Sequence, residues 1–435
     1  MDRPLRIGID GYNLAMPNGT GIATYTNSLA QSLKAMGHKI DGLFGLDAGK
    51  RGETRELLFF EHFGHGHRLT VPQLTRSVAL STAVNWLSRR PVEVPLEGSV
   101  DTRAFKYRFP EFDRLWTSPR LFEVAYARFK YLGRFLTVTM PNPPDIMHWT
   151  YPIPIRIANT KNVYTLHDLV PLRLPHATLD EKRYYHRLIK GCVETSNHIC
   201  TVSEASRDDI VQYFPSASEK ITNCYQSSPV PSEVMDSNPE DDAAIIKGIF
   251  GLERDGYFLF FGAADPKKNL GRIINAYLTS NVTTPLVIVS ARDWGMNDET
   301  RMLGSNGEVY GRKMGKRIVR LEYLPKATLF RLVRMAKAVL FPSLLEGFGL
   351  PALEAIQLGT PVISSTTSSL PEVVGEAGLL VDPYDVTAIS AAIRTLDSDA
   401  DVRMRLKSKG AVQSAKFSDA RYQQRLAQLY EKVVG

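Results

Sequence analysis

A strand, a turn with two glycines and a helix follow one another in the sequence FPSLLEGFGLPALE, which spans residues 341–354. Pro351 suits the first turn of a helix, where its missing N–H has no partner in any case, and Gly359 can end that helix. Gly347 and Gly349 let the backbone come close to a ligand, and the free amides at the helix start favour an anion or a row of hydroxyl groups. The segment therefore predicts a ligand-binding turn.

Two carboxylates flank this turn. Glu346 lies in the loop, and Glu354 lies one turn into the helix. Such a pair can accept hydrogen bonds from sugar hydroxyls or lie opposite a developing positive charge. The alternative is an ordinary strand-to-helix turn in which Glu354 meets the positive end of the helix dipole. Two acids around Gly-Phe-Gly favour the binding site over the ordinary turn.

Short apolar runs alternate with helical patterns along most of the chain, which is typical of parallel, doubly wound α/β sheets. The first series covers residues 5–10, 40–46, 145–149, 162–166 and 198–202, and the second covers 257–261, 286–290, 317–321, 338–341, 361–364 and 378–381. A polar, proline-rich stretch at 227–242 separates the two series. We therefore predict two Rossmann-like domains, 1–235 and 236–415, followed by a C-terminal helix at 416–435.

Length and composition fit a chain with two or three cores, since 43% of the 435 residues are hydrophobic. The net charge of +7 favours anionic partners, such as phosphate-bearing small molecules or an acidic membrane surface. Nucleic acid is not expected, because no recognition motif accompanies the charge. The three cysteines show no pairing pattern, so we expect reduced, buried thiols in a cytoplasmic protein. Neither a signal peptide nor a membrane span is expected, because no long uncharged apolar run occurs.

Residues 51–135 break this rhythm and concentrate positive charge, with 11 basic and 6 acidic residues between 76 and 134. The part from 115 to 136 interleaves aromatic and basic side chains. This pattern indicates either a helix with a basic face in the first domain or attachment to an anionic membrane surface. A histidine cluster that could bind a metal lies at Glu61, His62, His65 and His67. Its glycines fit an irregular loop better, so no metal site is predicted.

A pair of lysines, Lys267 and Lys268, lies between a predicted strand and a predicted helix. Lysine repels the positive end of a helix dipole, so a cationic pair at this place is unfavourable unless it has an anionic partner. Helix amides and lysine side chains act together on phosphate groups. We therefore expect a phosphate site here, with a merely solvated turn as the alternative.

Two candidates in the first half of the chain have weaker signals. His167 follows a strand that should end at the carboxyl edge of the first sheet, where ligands bind in open α/β folds. It suits a hydrogen-bond partner or a base, although a lone histidine is more often structural. The loop of Gly19, Thr20 and Gly21 would let the first helix approach a phosphate or a sugar.

Together these segments resemble the retaining nucleotide-sugar glycosyltransferases of the GT-B fold, the family called GT4. The most specific match is the spacing of Glu346 and Glu354, continued by Gly-Thr-Pro-Val at 359–362 and Ser-Leu-Pro-Glu-Val at 369–373. The resemblance covers nearly the whole chain. It implies two Rossmann-like domains that face each other across a cleft, with the C-terminal helix crossing back to the first domain.

The resemblance also implies which residues bind the donor. They are Lys267, Lys268, Glu346, Gly347, Phe348, Gly349, Leu350 and Glu354. Glu354 would bind the ribose hydroxyls, while Glu346 and the amides of residues 348–350 would face the sugar and the diphosphate. The two lysines would stabilise the leaving nucleoside diphosphate. Lys267 stands where the family usually has arginine, so two-pronged phosphate binding is not implied there.

In the first domain, the resemblance makes His167 the cleft histidine near the transferred sugar and residues 19–21 the glycine-rich loop. His167, Glu346 and Lys268 form the implied catalytic set. No cofactor and no obligatory metal are expected, because lysines and helix N-termini supply the positive charge that Mg²⁺ supplies elsewhere.

The implied activity is transfer of a hexosyl unit from a nucleotide sugar to a saccharide or lipid-linked acceptor, in bacterial lipopolysaccharide, exopolysaccharide or glycolipid synthesis. Mannose from GDP-mannose is the first choice. Retention by front-face attack is expected, and double displacement stays open. The expected location is the cytoplasm or the cytoplasmic face of the inner membrane. A non-catalytic sugar-nucleotide binder and an epimerase or phosphorylase of the same shape are the alternatives.

Overall fold

Two sheets of mainly parallel strands, each covered by helices, make up the computed structural model of the chain. The structure describes residues 3–16, 21–49, 51–65, 89–105, 108–178, 180–263, 265–290, 318–322 and 324–435. The α/β class predicted from the alternation of apolar runs and helical patterns is confirmed.

The first sheet is built from the first half of the chain. Its part of the chain contains strands β1 (Arg6–Asp10), β2 (Lys39–Phe44), β3 (Val92–Val94), β4 (Arg114–Thr117), β5 (Leu136–Val138), β6 (Ile146–Trp149), β7 (Ile155–Ile157), β8 (Lys161–Thr165), β9 (His198–Thr201) and β10 (Ile221–Asn223). Eight of these strands pair in the order β10-β9-β8-β6-β1-β2-β4-β3, while β5 and β7 form a separate pair. The edge strand β3 runs antiparallel to β4. The five predicted runs correspond to β1, β2, β6, β8 and β9.

The second sheet is built from six parallel strands in the second half of the chain. They are β11 (Phe258–Phe261), β12 (Leu286–Val289), β13 (Ile318–Leu321), β14 (Ala338–Phe341), β15 (Val362–Ser365) and β16 (Gly378–Val381), paired in the order β13-β12-β11-β14-β15-β16. All six predicted runs are confirmed to within one residue at each end. Most of these strands are buried on both faces, which explains why they appear as continuous apolar runs.

Helices cover the sheets. They are α1 (Gly21–Ala35), α2 (Arg55–His65), α3 (Leu121–Leu132), α4 (Val170–Arg173), α5 (Lys182–Thr195), α6 (Glu204–Tyr213), α7 (Ser232–Met235), α8 (Pro239–Phe250), α9 (Leu270–Ser280), α10 (Lys326–Met335), α11 (Leu350–Gln357), α12 (Leu370–Val374), α13 (Val386–Ser398), α14 (Ala400–Ala415) and α15 (Asp419–Val434). In α1, Tyr25, Leu29 and Leu33 point into the core, as their spacing predicts.

Among the described parallel strands of each sheet, the order along the chain reverses direction at one place. In the second sheet β11 and β14 are neighbours there, and in the first sheet β1 and β6 are neighbours. Connections leave such a pair toward opposite sides, so a crevice opens beyond the carboxyl ends of the two strands. The turn with both lysines, Pro266–Lys268, which we call the lysine turn, follows β11, and residues 346–349, which we call the acidic turn, follow β14. The sequence candidates of the second domain therefore lie at its topological switch point.

The C-terminal helix α15 packs against the first domain. Tyr422 and Tyr430 of this helix are fully buried, and the Tyr430 hydroxyl lies 2.6 Å from Nδ1 of His148 in β6. The other ring nitrogen of His148 lies 2.8 Å from Oγ1 of Thr165 in β8. The predicted crossing of the last helix back to the first domain is confirmed.

The proline-rich stretch 227–242 has more structure than a linker. Asn238 caps α8 through its side chain, which accepts from Glu240 N, and Pro239 occupies the first position of that helix. Both α7 and α8 contact α10 of the second domain. The domain limits 1–235 and 236–415 stay predictions, since a chain that packs throughout this stretch has no single boundary residue.

The basic and aromatic segment 115–136 is not one helix, which corrects the single helix considered above. It begins in β4, continues as α3 and ends at the start of β5. Trp116 is therefore a strand residue with 3% of its surface exposed. Pro119 precedes the helix, and Gly133 ends it with a φ of +66°, so residues that start and stop helices divide the segment.

Cys192, Cys200 and Cys224 are buried free thiols, as predicted.

The histidine cluster is only partly described, because the His65 side chain and all of His67 lie outside the described residues. Among the described residues no group of three potential metal ligands occurs. No helix in the described part of the chain is long and apolar enough to cross a membrane.

Candidate active site

A salt bridge joins the two turns at the switch point of the second sheet. Nζ of Lys268 lies 2.6 Å from Oε1 of Glu346 and 4.6 Å from the centre of the Phe341 ring. The side chains of Lys268 and Glu346 are only 13% and 8% exposed. A second link connects the same turns, because the Leu344 amide donates to the Lys267 carbonyl at 2.7 Å. The ammonium group of Lys268 is therefore oriented in the crevice.

Asn269 shapes the lysine turn, a role that no pattern in the sequence predicted. Its backbone has a φ of +64°, a conformation that asparagine tolerates better than most residues. Its side-chain amide donates to the carbonyls of Pro342 and Pro383 at 3.0 and 2.7 Å. The lysines thus belong to a single 3₁₀ turn, Pro266–Lys268, and the helix begins only at Leu270. The two lysines therefore lie two and three residues before the first residue of α9, between the strand and the helix as predicted.

Carboxylates from both domains surround Lys267. Burial opposes its charge, but Asp168 of the first domain and Glu346 and Asp265 of the second outweigh burial and raise the pKa of Lys267. The group stays protonated at neutral pH. A negatively charged ligand in the crevice would therefore meet the protonated Lys267 and the ammonium group of Lys268 that Glu346 orients.

Glu354 lies on α11 and is almost fully buried. Burial raises the pKa of its carboxyl to about 7, against the opposite effects of Lys326, of a hydrogen bond from Ser228 and of Lys268. Oγ of Ser228 donates to Oε1 of Glu354 at 2.9 Å. Buried carboxyls with a raised pKa are frequent at functional sites, which favours the binding role over the ordinary turn. Neither Lys326 nor Ser228 belongs to a sequence motif that would have predicted its place beside Glu354.

His167 has a fixed orientation beyond the end of β8. Its Nε2 lies 2.9 Å from the Thr150 carbonyl, and its ring packs edge-on against Tyr25 of α1, with centroids 4.8 Å apart. A carbonyl can only accept, so Nε2 bears the proton. Burial lowers the pKa of His167 more than Thr150 and Asp168 raise it. The imidazole is therefore neutral, with the lone pair on Nδ1.

Asp10 fixes the backbone that orients His167. Its carboxylate accepts from the Thr150 amide at 2.5 Å and from Oγ1 of the same residue at 2.9 Å. The carboxyl is completely buried, and burial raises its pKa to about 6 despite these hydrogen bonds. Asp10 ends β1, next to β6 at the switch point of the first sheet. Its position at the end of a predicted strand is the feature of the sequence that could have marked it as a residue of the site.

The two glycines of the acidic turn approach protein atoms, not an open space. A Cβ on Gly347 would lie 2.5 Å from the His167 carbonyl oxygen, and one on Gly349 would lie 2.5 Å from Cδ2 of Leu370. Gly349 also has a φ of +104°. The missing side chain of Gly347 therefore admits the first domain, and that of Gly349 admits a neighbouring helix, while the contact of these glycines with a ligand stays a prediction.

Phe348 connects the acidic turn to both segments that cross between the domains. Its ring centroid lies 5.5 Å from that of Phe417, just before α15, and 6.4 Å from that of Tyr225, just after β10. The amides of residues 348–350 have no hydrogen-bond acceptor among the described residues. These amides thus fit the predicted role of binding oxygen atoms of a ligand.

The structure brings most of the predicted site residues to one crevice. Lys267, Lys268, Glu346 and Glu354 lie together in the second domain, and His167 reaches this group through its contact with Gly347. Of the glycine-rich loop, Gly19 and Thr20 lie outside the described residues. Gly21 begins α1, one turn before the Tyr25 ring that contacts His167. The roles assigned to these residues stay predictions.

Models of two protein families match the chain, Glycosyl transferases group 1 over residues 243–413 and Glycosyltransferase Family 4 over residues 19–225. The chain belongs to the family 4 glycosyltransferases. Between them the two matches cover both domains, and they confirm the GT4 resemblance found in the sequence.

Curated relatives of this family 4 glycosyltransferase include two from Escherichia coli. It is 32% identical over 261 residues to O-antigen chain mannosyltransferase B, an alignment that covers 59% of this chain and 66% of the relative. It is 29% identical over 302 residues to serotype-specific mannosyltransferase WbdA, which covers 68% of this chain and 35% of the relative. The chain thus spans just under two thirds of the first relative and about a third of the second.

Solved structures with a similar fold share little sequence with this glycosyltransferase. Sucrose-phosphate synthase from Thermosynechococcus elongatus has a TM-score of 0.63 at 18% identity, covering 99% of this chain and 98% of that one. Anabaena HepE, solved with UDP and glucose, has a TM-score of 0.63 at 14% identity, with 98% and 99% covered. WaaG, a glycosyltransferase involved in lipopolysaccharide biosynthesis, has a TM-score of 0.57 at 12% identity, with 97% and 98% covered. The predicted GT-B fold is confirmed.

Glu354 should make the stability of the free enzyme depend on pH. Its pKa is about 7 in the folded protein against an ordinary 4.5, so ionising it in the folded protein costs free energy. That cost is absent below pH 4.5, grows as the pH rises and is complete above about 7, at about 3 kcal/mol. Glu354→Gln removes the cost, and we expect its stability relative to wild type to increase from pH 4.5 to pH 8.

Urea unfolding at pH 4.5, 6 and 8 measures this difference. Glu253→Gln is the matched control, because the Glu253 side chain is 66% exposed and pairs with Lys247 at the surface. Its stability should follow that of wild type at each pH. A difference between Glu354→Gln and wild type that stays constant from pH 4.5 to 8 would contradict the raised pKa.

Proposed function

We propose that this chain is a retaining, metal-independent mannosyltransferase that transfers mannose from GDP-mannose to a saccharide or lipid-linked acceptor in bacterial lipopolysaccharide synthesis. The observation that carries the proposal is the crevice at the second switch point, where Lys267, Lys268 and Glu346 lie beside the buried Glu354. The names of the E. coli relatives support mannose as the sugar and O-antigen chains as the acceptor.

The donor would occupy this crevice in a defined direction. Glu354 would accept hydrogen bonds from the ribose hydroxyls, and the amides of residues 348–350 would donate to phosphate or sugar oxygens. Lys267 and Lys268 would lie at the diphosphate, where negative charge grows as the sugar leaves. We propose that no metal is needed because these two ammonium groups supply the positive charge.

In the transfer step, the bond between the anomeric carbon and the phosphate oxygen breaks and a bond to the acceptor oxygen forms on the same face of the sugar. The acceptor proton moves to the leaving phosphate oxygen, so no further base is required. Glu346, paired with Lys268, lies on the donor side of the crevice and His167 lies opposite it. The lone pair on Nδ1 of His167 would accept a hydrogen bond from a sugar hydroxyl.

The donor proposal is tested with the purified enzyme and a panel of GDP-, UDP- and dTDP-sugars. We expect saturable binding of GDP-mannose, and transfer with retained configuration onto an O-antigen-type acceptor. Glu354→Ala should lower kcat/KM for the donor by about 100-fold or more, because it removes a carboxylate that accepts from the ribose.

Glu253→Ala, a surface substitution, is the matched control and should keep wild-type kinetics. Binding without turnover on any acceptor would favour the non-catalytic binder, and turnover with free phosphate would favour a phosphorylase. No binding of any nucleotide sugar, or full activity of Glu354→Ala, would refute the donor site.

We also propose that the enzyme attaches to an anionic membrane surface through the end of α3. Tyr131 and Leu132 are 74% and 43% exposed there, and exposed Lys130 and Arg134 flank them. An aromatic and an aliphatic side chain beside cationic groups suit the interface of an anionic bilayer.

Helix α5 lies next to this end of α3 and adds positive charge. The rings of Phe129 and Tyr184 are 5.5 Å apart, which fixes the two helices side by side. Three exposed basic residues of α5 are Arg183, Arg187 and Lys190. Other basic residues of the segment 76–134 have partners inside the protein: Arg114 pairs with Asp41, and Arg108 donates to the Met16 carbonyl. Only part of the charge found in the sequence therefore faces outward.

Reversing the charges at the end of α3 tests this attachment. Lys130→Glu with Arg134→Glu should weaken binding to phosphatidylglycerol vesicles at least about tenfold, since each basic residue near an anionic surface contributes about 1 kcal/mol. Lys247→Glu with Lys409→Glu, on exposed helices of the second domain, makes the same change in net charge and should bind as wild type. Vesicle co-sedimentation measures both, and equal binding of the two double variants would refute the patch.

A further inference from the structure

The first turn of α6 is capped by a residue of the other domain. The amides of Glu204 and Ala205 donate to Oε2 and Oε1 of Glu372, each at 3.0 Å. Both amides belong to the first turn of the helix, where the backbone offers no acceptor. Oγ of Ser203 accepts from the next amide, Ser206 N, at 3.0 Å. The N-terminus of α6 is thus complete only when Glu372 of the second domain is in place.

The same end of α6 contacts both sides of the crevice. Oγ of Ser203 donates to the carbonyl of Gly347 at 2.6 Å, and Oγ of Ser206 lies 2.7 Å from the carbonyl of His167. Gly347 follows Glu346 directly in the acidic turn. Two serines in the first turn of α6 and just before it therefore hold the backbone of the acidic turn against the backbone of His167.

These contacts exist only while the two domains are close together. The missing side chain of Gly347 leaves room for the His167 carbonyl, as described above. A small apolar cluster, in which Val170 and Leu174 of the first domain lie with Leu344 and Leu345 of the second, accompanies the polar contacts. The contact of Glu372 with α6 is directional, unlike the apolar contacts of this cluster, because its two carboxylate oxygens accept from two amides of one helix turn.

We propose that Glu372 is a positioning residue that couples closure of the cleft to the seating of Gly347 on His167. Closing the domains places a carboxylate on the positive end of α6, where charge and hydrogen bonds both favour it. The serines of that helix end then align the acidic turn with His167. The inference rests on the proposed function for its kinetic consequence, but the contact itself does not require a donor.

Hydrogen exchange of the free enzyme tests the contact directly. In wild type the amides of Glu204 and Ala205 should be protected, because Glu372 accepts from both. In Glu372→Ala we expect at least about tenfold faster exchange in a peptide that contains residues 203–206, with the rest of the first domain unchanged. Glu376→Ala is the matched control, since Glu376 lies four residues away, is 83% exposed and pairs with Lys409 at the surface. Equal exchange in wild type and Glu372→Ala would overturn the proposal.

Kinetics separate positioning from simple stabilisation. Glu372→Ala should lower kcat/KM for the donor about 10- to 100-fold while its thermal unfolding stays near that of wild type. Glu372→Gln should behave similarly, because the NH₂ of the glutamine side chain cannot accept a hydrogen bond. One of the two backbone amides, Glu204 or Ala205, would therefore face a donor in place of an acceptor. Gly347→Ala, which pushes the turns apart from the other side, should give the same kinetic loss with Glu372 intact.

Glu372→Ala could instead melt at a lower temperature and keep wild-type kinetic constants where it is folded. That result would make Glu372 merely structural and would overturn the proposal. If instead no nucleotide sugar is a substrate for any variant while the exchange result holds, the proposed function fails and the interdomain contact stands.

Discussion

The salt bridge between Lys268 and Glu346 connects the two turns that leave the centre of the second sheet. Because both side chains are nearly buried, removing either one would leave the other without this oppositely charged partner in a place shielded from water. Their partnership fixes the lysine turn on one side of the crevice and the acidic turn on the other. Through Gly347 it also sets how close the first domain can come, since the residue after Glu346 contacts the carbonyl of His167.

The fold could be predicted from the sequence where packing is simple. Parallel strands buried on both faces appear as apolar runs, and eleven of those runs correspond to strands of the two sheets. Strands β3, β5, β7 and β10 were not predicted, because each is three residues long and too short for a pattern. It also assigned one helix to 115–136, because basic and aromatic residues alternate across both a strand and a helix there.

The candidate site could be predicted as a set of residues but not as a geometry. Lys268, Glu346 and His167 follow the ends of predicted strands, and Glu354 lies on the helix that comes after one of them, which the order of elements along the chain reveals. Their partners do not: Ser228 reaches Glu354 from the interdomain segment, and Glu372 reaches α6 across 167 or more positions. Such contacts depend on how two domains close, and no local periodicity encodes that. Gly347 shows the difference, because nothing in its sequence context predicts that its missing side chain leaves room for the His167 carbonyl.

The position of α15 has a consequence for how the enzyme is made. Tyr430 and His148 are 282 positions apart, yet they share a hydrogen bond in the core of the first domain. Strand β1 lies in the same buried cluster as Leu426 and Leu429. During synthesis from the N-terminus, the first domain has its strands early but lacks the packing surface of α15 until the second domain has been translated. Completing the core of the first domain is therefore a long-range event.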